Sequence, residues 1–186
     1  MKINKYEMIL SVASKLIAKK GYAGTSLQEI ADKVYLHKSS LFHYFKNKEE
    51  LLLKILEKSM EEVNTSLQKI TLNKELSSEE KLKKAIDNHL ILLTEYLDIV
   101  NIYLNETRNL SRKYRSIYLE ERKKYGKTFE KIVVEMKTKG YFKGLDTEIV
   151  TFGILGMLNW VVKWYKRKKP LNVKEIADIF YKMLMK

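Results

Sequence analysis

Residues 25–48 read TSLQEIADKVYLHKSSLFHYFKNK. Lys38, Ser39, Ser40, Phe42, His43, Tyr44 and Lys48 crowd its second half, and two of the chain's three histidines, His37 and His43, fall inside it. Ammonium, hydroxyl and imidazole groups among aromatic rings suit noncovalent contact with a polyanion, phosphates and base edges above all. Catalytic chemistry has no such concentration. The chain has no cysteine, so thiolate ligands, cysteine nucleophiles and disulfides are excluded. His89 stands alone on a helix and reads as a surface or core residue. No pair of carboxylates or histidines has metal-ligand spacing, and no Gly-rich phosphate loop is present. The reading is a binding protein, not an enzyme, with no metal and no cofactor.

The partner class agrees with the charge. The 186 residues carry 36 Lys and Arg against 23 Asp and Glu, a net charge of +13, which favours an anionic partner. Charge alone does not locate the site: residues 1–60 hold 11 basic and 6 acidic residues, and the remaining excess is spread over the rest. A generally lysine-rich proteome would give the same background. The first residues, MKINKYEMIL, lack the apolar core of a signal peptide. The longest uncharged run, residues 149–162, is too short to span a bilayer. A soluble, cytoplasmic protein is expected.

The elements that must position the polar cluster are helices. One proline, seven glycines and 45% hydrophobic residues describe an all-α chain with a sizeable core. Tyr6, Ile9, Leu10, Ala13, Leu16 and Ile17 form one apolar stripe of a helix over about 3–20, closed by Gly21. A second helix follows Thr25, a third covers about 37–44, and a fourth runs from Asn47 to about 69. Further helices are expected over 79–96, 97–106, 110–139, 147–167 and 173–185, making nine. Thr25/Gln28, Asn47/Glu50, Ser77/Glu80 and Asn172/Glu175 have capping-box spacing. Pro170 forbids continuation of the eighth helix.

Two short helices joined by a tight turn, the second polar outside, form a helix-turn-helix. Leu27, Ile30, Ala31 and Val34 face inward from the first, and Leu36, Leu41 and Phe45 anchor the second. Lys38, Ser39, Phe42 and His43 then face outward, on an element of the width that the major groove accepts. Lys38, Ser39 and His43 are the expected base readers. Thr25 with Ser26 at a helix start, Ser40, Tyr44 and Lys48 supply groups for the DNA face and its phosphates.

Residues 25–51, with helix one and onward to about residue 56, resemble the TetR family of transcriptional regulators. The patterns TSLQEIA and SLFHYFKNKEEL carry the resemblance. It implies a repressor that binds operator DNA as a homodimer and releases it when a small molecule enters the C-terminal domain. It divides the chain into a DNA-binding domain over 1–48 and a ligand-binding and dimerisation domain over 49–186, linked by the helix at about 48–69. Two positions depart from the family. Its usual turn glycine is Tyr35, where positive φ costs a tyrosine on the order of 1 kcal/mol. Phe42 replaces the usual tyrosine and lacks its phosphate-binding hydroxyl.

The resemblance makes the last two helices a four-helix bundle with a second subunit. Apolar residues on more than one face of residues 149–162 agree, since such a helix needs cover on both sides. Phe152, Leu155, Trp160, Ile176, Phe180 and Met183 are the expected interface. One monomeric core would bury the same faces. Asn159, Trp160 and Trp164 resemble the acyl-CoA-responsive branch of the family, regulators of fatty-acid or sterol catabolism. An acyl tunnel would draw on Leu93, Leu97, Tyr103, Phe129, Met136, Phe152 and Met157, beside Asn159 and Trp160. Arg108, Arg112, Lys113 and Arg115 would hold a CoA head group. Another hydrophobic or cationic compound is the competing effector. The competing function is a basic helical module that meets anionic membranes through residues 163–169, or a protein partner.

Overall fold

The computed structural model describes residues 4–97, 100, 102, 106–165 and 171–186. Its described residues form eight α-helices and no strand. They are α1 (Lys5–Lys20), α2 (Leu27–Lys33), α3 (Lys38–Leu41), α4 (Lys48–Leu72), α5 (Ser78–Glu95), α6 (Arg112–Thr138), α7 (Thr147–Trp164) and α8 (Val173–Leu184), with a 3-10 turn at Thr107–Asn109. The ninth expected helix, at 97–106, lies largely outside the described residues, as do Tyr103, Arg167 and Pro170.

The caps explain several boundaries. Ser77 and Glu80 form a reciprocal capping box at α5, and Asn172 and Glu175 form one at α8. Asn47 accepts the Glu50 N–H at α4. At α2 the expected pair is displaced by one residue: Ser26 is the N-cap, its hydroxyl accepting the Glu29 N–H at 3.0 Å. Thr25 instead turns inward, with 1% of its surface exposed and its hydroxyl donating to the Gly21 carbonyl.

The chain forms two compact units. The first comprises Met1–Met60 and Leu97–Glu121. Its core joins Ile9, Leu10, Ala13 and Ile17 of α1 to Ile30 and Ala31 of α2, Leu41, Phe45 and the apolar face of α4. Tyr6 stacks on Phe45 with ring centroids 5.3 Å apart. Glu49 accepts the Ser111 N–H, which ties the start of α6 to the start of α4. The second unit comprises Glu61–Tyr96 and Arg122–Lys186. Its interior gathers Leu82, Ala85, Ile86 and Leu90 of α5, Phe129, Ile132, Val133 and Met136 of α6, Ile154, Leu158 and Val161 of α7, and Ile176 and Ala177 of α8. A half-buried ion pair, Lys81 with Glu135, joins α5 to α6 at 2.8 Å. No helix among the described residues is long and apolar enough to cross a membrane.

Candidate nucleic-acid interface

The turn between α2 and α3 sets the direction of everything after it. The Leu36 N–H reaches back to the Ala31 carbonyl at 3.0 Å, and the Tyr35 N–H to the Asp32 carbonyl at 3.2 Å. That closure requires a left-handed residue, and Tyr35 takes it with φ 56°. Sequence reasoning located the turn. The structure adds that no packing restrains the ring, because Tyr35 is 86% exposed.

The second helix is shorter than its periodicity predicts. Only Lys38–Leu41 is α-helical. The chain then tightens, with the N–H groups of Phe42, His43 and Tyr44 bonding carbonyls three residues back. Phe45 returns to a four-residue spacing by bonding Leu41. Leu41 and Phe45, 1% and 3% exposed, hold this stretch against the core. The inner anchors therefore fall as expected, and Leu36 packs beside them, half-buried.

Lys38, Ser39, Phe42, His43 and Tyr44 all stand in solvent, and Ser40 is half-buried. These six are the surface residues of the element, whose Leu41 and Phe45 turn to the core. Ser26 is exposed at the start of α2 beside the buried Thr25. Thr25 has its hydroxyl and its N–H both engaged internally, so Ser26 is the outward group of the pair. Lys48 is half-buried with its ammonium 4.2 Å from the Tyr22 ring centroid. Burial lowers its pKa, and the Glu106 carboxylate opposes that shift. The ring holds the Lys48 ammonium itself near α4's first turn. Tyr22 is a supporting residue that sequence reasoning missed, since nothing local links it to Lys48.

The proposed effector and interface residues are distributed differently. Leu93 and Phe129 are buried in the second unit and Met157 is half-buried there. Leu97 and Arg108 belong to the first unit, together with Arg112, Lys113 and Arg115, all four cations being exposed. Phe152 and Trp160 stand outward at 58% and 64% exposure, while Leu155 and Phe180 are half-buried and Met183 is exposed. Ile176, expected on the outer face, is 3% exposed and belongs to the unit's own core. Ile149 and Ile179 are exposed in its stead. Asn159 is exposed beside His89, whose Nδ1 lies 2.8 Å from the Tyr125 hydroxyl in the interior. His89 is thus a core histidine with a partner 36 residues away, invisible to local pattern. Among the described residues no cluster of His, Cys, Asp or Glu could hold a metal ion.

A helix-turn-helix with this outward face, in a chain that also carries a separate helical unit, defines a class of DNA-binding regulators. Residues 9–55 match the family described as bacterial regulatory proteins, tetR family, and residues 75–186 match the tetracyclin repressor-like C-terminal domain. The chain belongs to the TetR family of transcriptional regulators, which are not enzymes. It is 24% identical to the HTH-type transcriptional repressor KstR2 of Mycobacterium tuberculosis (strain ATCC 25618 / H37Rv), over 95% of this chain and 89% of that protein. The fatty acid metabolism regulator protein of Bacillus subtilis (strain 168) is also 24% identical, over 97% of this chain and 94% of its own. Among solved structures, AibR in complex with isovaleryl coenzyme A and operator DNA superposes with a TM-score of 0.85 and 31% identity, over 97% of this chain and 98% of that one.

Proposed function

We propose that this protein is a repressor whose α2–α3 segment reads operator DNA and releases it when a small hydrophobic effector binds the second unit. The observation that carries this reading is the row Lys38, Ser39, Phe42, His43 and Tyr44, exposed on a stretch whose opposite side is locked to the core by Leu41 and Phe45. Lys38, Ser39 and His43 are the base readers. Ser26, Ser40, Tyr44 and Lys48 hold the backbone, with Phe42 lying against sugar or a thymine methyl. Thr25 contributes by shaping the start of α2. Residues 1–48 form the DNA-binding domain and 49–186 the effector and dimer domain.

A duplex selected from a random pool tests the assignment. Lys38→Ala with His43→Ala is expected to weaken specific binding by about 2 kcal/mol and to relax preference at the contacted bases. Unchanged affinity and preference in a gel shift would remove the recognition surface from this segment.

Two copies acting together place two such segments about one DNA turn apart, roughly 34–36 Å. The exposed stripe Ile149, Phe152, Gly153, Gly156 and Trp160 on α7, continued by Ile179 and Met183 on α8, is the face for the second copy. The space around Gly153 and Gly156 is open, so another helix can approach closely.

The relatives and the apolar interior support an effector class. AibR was solved with isovaleryl coenzyme A, and B. subtilis contributes a fatty acid metabolism regulator. An acyl-CoA is therefore the effector proposed, its chain among Leu93, Phe129, Met136 and Met157 and its polar end near Asn159. Acyl-CoAs of graded chain length are expected to raise the melting temperature and release the duplex, with an optimum length. A series with no effect on either measurement would exclude this effector class.

A further inference from the structure

We propose that Tyr35 is an additional DNA-contacting residue, its hydroxyl donating to a backbone phosphate at the edge of the recognition face. This rests on the DNA-reading assignment above. Two non-glycine residues of the described chain have positive φ, Tyr35 and Phe142. Phe142 is half-buried, so packing against its own unit helps to hold its strain. Tyr35 is 86% exposed and receives no such help. A large aromatic in a strained turn with its ring in water has no stabilising role within the folded chain, which directs attention to what it meets outside.

The position narrows the partner. Tyr35 lines a groove between α2 and α3 together with Gln28, Asp32, Leu36, His37 and Ser40. Ser40 belongs both to this groove and to the recognition face. The exposed Asp32 makes the groove unfavourable for a phosphate, and that carboxylate is held by the Gln28 side-chain amide at 2.8 Å. A phosphate is therefore disfavoured inside the groove, and Tyr35, 86% exposed, offers its hydroxyl to one outside it. A phenol hydroxyl is a common donor to phosphate oxygens and carries no sequence information.

The test compares Tyr35→Phe and Tyr35→Asn with the wild type and with Lys48→Ala, on the duplex that the wild type selects from a random pool. Tyr35→Phe keeps the ring and the strained backbone and removes only the hydroxyl. It is expected to bind about tenfold more weakly, with unchanged melting temperature and unchanged sequence preference. Tyrosine is uncharged, so its salt dependence should parallel the wild type, whereas Lys48→Ala, which removes a backbone-holding cation, should lower the slope by about 1. Tyr35→Asn tolerates the left-handed backbone better but is too short to reach the phosphate. It is expected to bind as weakly as Tyr35→Phe while melting about 2 °C higher. If Tyr35→Phe binds like the wild type, the hydroxyl contact is wrong, whatever Tyr35→Asn does. If the wild type selects no duplex, the DNA-reading assignment itself fails and takes this inference with it.

Discussion

A chain carrying Phe152→Glu and Trp160→Glu is expected to sediment as a monomer and to bind the selected operator roughly 100- to 10,000-fold more weakly. Both side chains lie on the outside of α7, 58% and 64% exposed, so the replacements disturb little of the unit's own packing. The core side of the same helix, Thr151, Ile154, Leu158 and Val161, is untouched and remains buried. In a dimer, however, each new carboxylate would enter an apolar surface twice, once per subunit. Removing an ion from water without a partner costs several kcal/mol. The weakening on DNA then follows from lost avidity, because one recognition segment no longer tethers the other next to its half-site. Circular dichroism should show unchanged helicity. Analytical ultracentrifugation decides the matter: a dimer that persists in the double variant would place the interface elsewhere.

The helices were legible in the sequence because their signals are local. Ser77/Glu80 and Asn172/Glu175 mark the starts of α5 and α8, and the structure has both capping boxes. The inner residues Ile30, Ala31, Leu41 and Phe45 were legible for the same reason: one-turn apolar spacing dictates a buried face. Where two local solutions compete, spacing alone did not decide. Thr25 and Ser26 both cap well, and burial of Thr25 against Gly21 selects Ser26. The shortness of α3 was not legible, because three- and four-residue bonding present nearly the same side-chain face over a single turn. Nor does periodicity tell which apolar face meets the chain's own core. Ile176 and Ile179 sit in one helix at one-turn spacing, yet the first is buried and the second open. The His89–Tyr125 pair was out of reach, since it depends on how α5 and α6 are packed.

That pair gives the second large effect, on stability rather than on DNA. Burial pushes the His89 imidazole down to about 4 from an ordinary 6.5, with the Asn159 side chain opposing the shift in part. Burial also pushes the Tyr125 phenol up, so it stays protonated throughout the acid range. In the unfolded chain His89 takes a proton near pH 6.5, while in the folded chain it stays neutral until about pH 4. Between those values the unfolded state binds one more proton, so stability falls as the pH falls. The full window is worth about 3 kcal/mol by linkage. His89→Gln removes the titration and keeps a group that can bond the Tyr125 hydroxyl. The stability difference between the wild type and His89→Gln is therefore expected to shift by about 3 kcal/mol against the wild type from pH 7.5 to pH 4. Urea unfolding across that range, at one protein concentration, measures it. Other groups titrate in both proteins alike and cancel in the difference. Curves that fall in parallel would mean that His89 is solvated and charged in the folded state, and the buried pair would have to be abandoned.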